Sequence, residues 1–158
     1  MQLFTSDLDR TLIFSARTVA KTEAERICVE TFDGKEISYV TARIYEQLMA
    51  IHQQMQFVPV TTRSRAQFER IALFQQRIVP EIAVVANGGI ILRNGEVDVQ
   101  WQAHMADVMR NLSLSIDEVQ GYFHEQLSAP YFLTHARVDE LFFVYMVDLA
   151  AIDLPAIL

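Results

Sequence analysis

The stretch "FTSDLDRTLIFS", residues 4–15, decides how the rest of the chain is read. Two aspartates, Asp7 and Asp9, lie one residue apart, with Leu3 and Phe4 before them and Leu12, Ile13 and Phe14 after. Residues 2–6 read as a short buried strand running into the acids. In an extended strand, side chains i and i+2 point to one side, and in the turn after a strand end they also converge. Two carboxylates so placed are either solvated loop acids or a pair that does chemistry. A carboxylate can attack phosphorus and form an aspartyl-phosphate. A second one two residues on can protonate the leaving oxygen and later activate water. Such a site needs Mg²⁺ between anionic nucleophile and anionic substrate, with hydroxyl and N–H donors for the phosphoryl oxygens.

Moving outward, "ICVETF" (27–32) and "EISYV" (36–40) alternate around Asp33-Gly34, a β-hairpin signal. Ile44, Leu48, Ile51 and Met55 form one helical stripe over 42–55, with Thr41 as N-cap. Phe57 to Val60 is an apolar strand in which Pro59 argues against a strictly central place. "TTRS" (61–64) follows, and Ser64 with Gln67 resembles a capping box opening a helix over about 65–77 that Pro80 ends. Residues 82–86 form another apolar run, "NGG" follows at 87–89, and Asn94-Gly95 marks a second hairpin. Strands alternating with helices predict a parallel sheet of βαβ units. In open α/β sheets ligands bind at the carboxyl ends of strands, and a helix N-terminus binds anions. "SDLDRT" and "TTRS", at two such ends, therefore predict one phosphate site.

These motifs, in this order, resemble the haloacid dehalogenase (HAD) superfamily of phosphatases. "SDLDRTLI" is similar to that family's first motif, D-x-D-x-T, and "FVPVTTRS" to its second, a hydrophobic strand ending in Thr or Ser. The "NGG" is similar to the branch of sucrose-phosphate phosphatases and Cof-type phosphatases, whose cap is inserted after the second motif. The resemblance implies an α/β fold: a Rossmann-like core of parallel strands flanked by helices over residues 1–99, and an α+β cap, incomplete here, over 100–158. It implies Asp7 as nucleophile and Asp9 as general acid/base. Asp7 and the Asp9 carbonyl would hold Mg²⁺, and Thr11 would support the loop. Thr61, with Thr62 and Arg63, would bind the substrate phosphate, and Asn87 would support the site. Thr62 replaces the glycine of T-G-R, and Arg10 replaces the glycine common after the second aspartate.

The family's third motif is a Lys or Arg and its fourth an acidic pair. The two lysines here, Lys21 and Lys35, both precede the second motif, which leaves Arg110 and Arg137 as late cations. Asp148 and Asp153 have a permitted spacing for the fourth motif, but they are expected to be acids at a cap strand end. The chain is thus expected to hold the first half of a core and most of a cap, as a shortened form of a longer phosphatase. The expected activity is Mg²⁺-dependent hydrolysis of a small, sugar-like phosphate. The alternatives are a phosphomutase on the same fold, or a non-catalytic scaffold that self-associates as a homodimer.

Beyond about residue 100, a helix is expected over 102–112 and another over 116–127, with Ser115 and Glu118 as capping box. "LFFVYMV" (141–147) reads as a strand. His52, His104, His124 and His135 lack metal spacing, Cys28 reads as packing, and Trp101 is expected at a core–cap junction. Phe142, Phe143 and Tyr145 read as cap core. The 158 residues are 51% hydrophobic and 21% charged, with net charge −7. That balance argues against a nucleic-acid partner and against an anionic membrane surface. With one cysteine no intrachain disulfide forms, no run reaches about 18 apolar residues, and a cytoplasmic protein is expected.

Overall fold

The computed structural model describes residues 2–21, 24–124 and 131–151. The chain divides into two compact units, Met1–Gln102 and Ala103–Leu158.

The first unit is a mixed α/β arrangement. Strand β1 (Leu3–Ser6) leads through a tight loop to β2 (Phe14–Ser15) and α1 (Ala16–Val19). The predicted hairpin follows as β3 (Arg26–Phe32) and β4 (Lys35–Thr41), and β2 pairs on the other side of β4. Asp33 and Gly34 both have positive φ, 49° and 71°, as a two-residue type I′ turn requires. Helix α2 (Ala42–Gln54) starts where the Thr41 side chain accepts from the Ile44 N–H at 3.3 Å. Strand β5 (Gln56–Pro59) then runs parallel to β1, with Leu3 opposite Gln56 and Ser6 opposite Pro59. Next come α3 (Arg65–Glu69), α4 (Ala72–Gln76), β6 (Ile82–Val85) and the hairpin β7 (Ile90–Arg93) with β8 (Glu96–Val97). Val60 bridges Val84 in parallel, so β1, β5 and β6 end on the same side. Pro59 is tolerated inside this array because the N–H of Val60 serves Ser6 and that of Thr61 serves Val84. Alternation puts the missing proline N–H on the β6 side, where one bond is lost.

The core lies between these strands and helices. Phe57 and Phe74 are 1% exposed, with ring centroids 5.7 Å apart, and Leu8, Ile13, Val40, Leu48, Ile71, Ile78 and Val85 are buried with them. Two expectations are corrected. The segment 2–6 is not buried: Leu3 is 61% exposed, because β1 pairs only with β5 and its other edge is open among the described strands. The helix expected over 65–77 is broken in two. Ser64 and Gln67 do form the capping box, but Ile71 leaves helical geometry (φ −77°, ψ 95°) and bridges Glu30 on β3. Burial of Ile71 and this backbone pairing outweigh helix propensity, which is a weak preference.

Helix α5 (Val99–Leu112) begins three residues earlier than expected. The Asp98 carboxylate accepts from the N–H groups of Gln100 and Trp101 at its start. The second unit continues with α6 (Ile116–His124), opened by the Ser115–Glu118 capping box. The expected continuation over 125–127 lies outside the described residues. β10 (Phe142–Val147) matches the expected strand, and β9 (Phe132–Val138), not foreseen, pairs antiparallel with it. Their turn uses Asp139 and Glu140 at φ 47° and 59°. It lacks the glycine or asparagine that marks such turns in a sequence, which is why β9 was missed. Phe123, Phe132, His135, Phe143 and Tyr145 form one aromatic cluster. No helix among the described residues is long and apolar enough to cross a membrane.

Candidate active site

The site is built where β1, β5 and β6 end. Leu8 is fully buried, while Asp7 and Asp9 on either side of it are exposed. One apolar residue plugged into the core thus turns its two neighbours outward together. The loop behind them is tight: the Leu8 carbonyl accepts from the N–H groups of Thr11, Leu12 and Ile13, and Arg10 N–H donates back to the Ile13 carbonyl. Arg10 sits at φ 65°, a left-handed conformation that glycine adopts at least cost. The Thr11 hydroxyl donates to Asp7 Oδ2 at 3.0 Å, which orients that carboxylate.

Across the array, Thr61 is buried at the end of β5 and its hydroxyl accepts from the Arg63 N–H at 3.2 Å. After β6 the chain makes a left-handed turn through Ala86, Asn87 and Gly88 (φ 51°, 56° and 87°). Gly89 N–H to the Ala86 carbonyl at 3.0 Å closes it, and it is tied to its surroundings by Ala86 N–H to the Arg63 carbonyl at 2.7 Å, Asn87 N–H to the Thr61 carbonyl at 3.3 Å and Trp101 Nε1–H to the Gly88 carbonyl at 2.9 Å. The turn therefore belongs to the same loop cluster as "TTRS". Thr5, Ser6, Asp7, Val60, Thr61, Thr62 and Asn87 line one depression of about 500 Å³. Among the described residues, no acceptor takes the N–H of Leu8, Asp9 or Thr62.

Arg63 and Asp9 are joined directly. Arg63 Nε donates to Asp9 Oδ2 and Nη2 to Asp9 Oδ1, each at 2.8 Å. The same guanidinium reaches Glu30 on β3, with Nη1 to Oε2 at 2.8 Å, and lies 3.3 Å from the Ser38 hydroxyl. The phosphate expected at Arg63 would thus meet a guanidinium already engaged with two carboxylates. Burial works against the Arg63 charge, but the carboxylates of Asp9 and Glu30 override it and push the guanidinium above its ordinary pKa. Glu30 is 2% exposed. Burial pushes its carboxyl upward, but bonds from Ser38 (2.6 Å), Arg63 and Arg70 (3.2 Å) outweigh that and hold it below the usual carboxylate range. Sequence reading missed Glu30, Ser38 and Arg70. The one local signal is a charged residue amid a strand's apolar neighbours. The β-bulges beside Glu30, which place Val29 and Glu30 both in buried positions, leave no sequence mark.

Asp7 has no cationic partner among the described residues. Its carboxylate, together with an Asp9 carbonyl that accepts no hydrogen bond among the described residues, offers the hard oxygen donors that Mg²⁺ takes. No three His, Cys, Asp or Glu side chains among the described residues cluster around a metal position.

The late cations and acids lie in the second unit. Arg110 pairs with Asp107 at 3.5 Å, and Arg137 with Asp117 at 2.7 Å and with Glu140. Asp148 accepts from the Ala150 N–H at 3.0 Å, as an acid in a turn after a strand does; Asp153 lies outside the described residues. The Cys28 thiol, half-buried on β3, donates to the Glu30 carbonyl at 3.4 Å, and burial pushes its pKa up. Compared with known proteins, the chain matches no family model and no curated sequence.

Proposed function

We propose that this chain carries the phosphoryl-transfer site of a Mg²⁺-dependent phosphomonoester hydrolase of HAD type, acting on a small, sugar-like phosphate. The observation that carries the reading is the convergence of three strand ends. A Thr11-oriented carboxylate, Asp7, faces the hydroxyl and amide donors of Thr61, Thr62 and Asn87 around one open depression.

The chemistry follows from these groups. The phosphate ester enters with its oxygens toward the Thr62 and Asn87 donors and the unspent N–H groups beside Asp7. The Asp7 carboxylate oxygen without the Thr11 bond attacks phosphorus. The bond from phosphorus to the ester oxygen breaks as Asp9 delivers a proton to that oxygen, and the alcohol departs. Asp7 is left as an aspartyl-phosphate. Asp9 then takes a proton from water, the water oxygen bonds to phosphorus, and the phosphorus–Asp7 bond breaks, giving inorganic phosphate and restoring both carboxyl groups. Mg²⁺, held at Asp7 and the Asp9 carbonyl, would supply the positive charge that two facing anions require. The Arg63 fork takes one lone pair on each Asp9 oxygen and leaves a second on each for the proton, so Asp9 gives and takes a proton while the fork holds it.

The test is release of inorganic phosphate from an aryl phosphate and from hexose phosphates, with and without Mg²⁺. Asp7→Asn should lower turnover by roughly 10³-fold or more, since a nucleophile is removed outright, and a chelator should do the same reversibly. Because Asp7 is exposed with one side-chain partner, the melting temperature should stay close to the wild-type value. Full activity in Asp7→Asn would sink the assignment, and an isomeric sugar phosphate in place of free phosphate would identify a mutase.

A further inference from the structure

Glu30 takes no part in the steps above, yet it is a fully buried carboxylate. An ionised carboxylate is costly to bury unless paired, and apolar residues replace such networks at little or no loss of stability. What the Glu30 cluster supplies is orientation. A guanidinium presents its donors in one rigid plane. Glu30 Oε2 accepts from Nη1 at 2.8 Å and the Ser38 hydroxyl lies 3.3 Å from Nη2, which fixes that plane and turns Nε and the second Nη2 hydrogen onto the two oxygens of Asp9. Glu30 is itself held from behind by the Ser38 hydroxyl at 2.6 Å and by Arg70 Nε at 3.2 Å, with Arg70 in turn over the Phe32 ring at 4.4 Å. The register of β3 against β4 shifts on both sides of Glu30.

We propose that Glu30 is a positioning residue for Asp9: it anchors Arg63 so that the guanidinium fork holds the Asp9 carboxylate, two residues from Asp7, in a single orientation. The inference rests on Asp9 being the proton carrier. It makes the hairpin β3–β4, remote in sequence from both acids, part of the catalytic apparatus. It also assigns Arg63 to Asp9 and leaves the phosphate to Thr61, Thr62 and Asn87.

The test uses the full chain with Glu30→Gln and Arg63→Lys, each read two ways. The Arg63 Nε–H resonance in a ¹⁵N spectrum should exchange slowly with solvent in the wild type and rapidly in Glu30→Gln. With an aryl phosphate, kcat should fall roughly 10–100-fold, as for residues that orient a reacting group, while KM stays within about twofold because the phosphate donors are untouched. Arg63→Lys keeps a charge opposite Glu30 but cannot grip both Asp9 oxygens. It should show the same kcat loss with a smaller change in melting temperature, which keeps the test decisive if Glu30→Gln folds poorly. Slow exchange and unchanged kcat in Glu30→Gln would overturn the proposal while leaving the hydrolase reading intact. Wild-type turnover no higher than that of Asp7→Asn would overturn the hydrolase reading and this catalytic purpose with it, and the resonance would still report whether Glu30 orients Arg63.

Discussion

Replacing Arg63 with alanine removes the centre of the buried ion cluster, and its cost can be worked from the distances. Stripping a buried carboxylate of its partner costs about 3–5 kcal/mol when nothing else remains. Glu30 keeps Ser38 at 2.6 Å and Arg70 at 3.2 Å, the latter one-third exposed, so about half of that figure applies. The Asp9 pair, with the carboxylate 46% exposed, adds no more than about 1 kcal/mol. The expected loss near neutral pH is therefore about 2–3 kcal/mol. The pH dependence carries a sign. In the wild type the Glu30 carboxyl is held below its ordinary pKa, so its contribution is fully present above the unfolded value and is lost as pH falls through the depressed folded value. In Arg63→Ala, burial acts with less opposition and the carboxyl moves up. The penalty then stands at neutral pH and is relieved as Glu30 takes a proton, so the gap between the two proteins narrows as pH falls through the ordinary carboxylate range. Urea unfolding followed by the fluorescence of Trp101, the sole tryptophan, measures this in the unit that contains Glu30. A loss below about 1 kcal/mol near neutral pH, or a gap that widens toward acid, would refute the reasoning.

Two further substitutions probe the frame around the site. Phe57→Ala, at a side chain 1% exposed and packed against Phe4 and Phe74 with ring centroids 5.9 and 5.7 Å away, should cost about 3–5 kcal/mol, read as a large drop in urea midpoint. Arg10→Gly should change stability by less than about 1 kcal/mol, because relief of the left-handed strain at φ 65° is offset by the backbone entropy that glycine loses on folding. A clear destabilisation by calorimetry would mean that the Arg10 side chain holds the loop.

The features legible in the sequence are those whose cause lies within a few residues. The Asp33-Gly34 and Asn94-Gly95 turns need positive φ at adjacent positions, and the residue types say so. Thr41 and Ser64 cap helices through bonds to residues three positions on. Asp7 and Asp9 are both exposed, with the buried Leu8 between them, as alternation along an extended segment gives. The break at Ile71 was not legible, because it depends on a bridge to Glu30, 41 positions earlier in the chain. The turn at Asp139–Glu140 was not legible either, because its residues do not advertise their conformation.

By itself, then, the sequence determined where the strand ends carry acids and hydroxyls, where the tight turns fall and which helix starts are capped. Each follows from backbone geometry that one or a few neighbouring side chains impose. Only the tertiary structure decided what those groups face. Arg63 meets Glu30 across 33 positions and Asp9 across 54, and the turn at Asn87 joins the "TTRS" loop through backbone hydrogen bonds. Such pairings arise when burial of Phe57, Leu8 and Val85 brings β1, β5 and β6 into one array. No local pattern specifies them, because their energy comes from ions and amides that are far apart until the core closes.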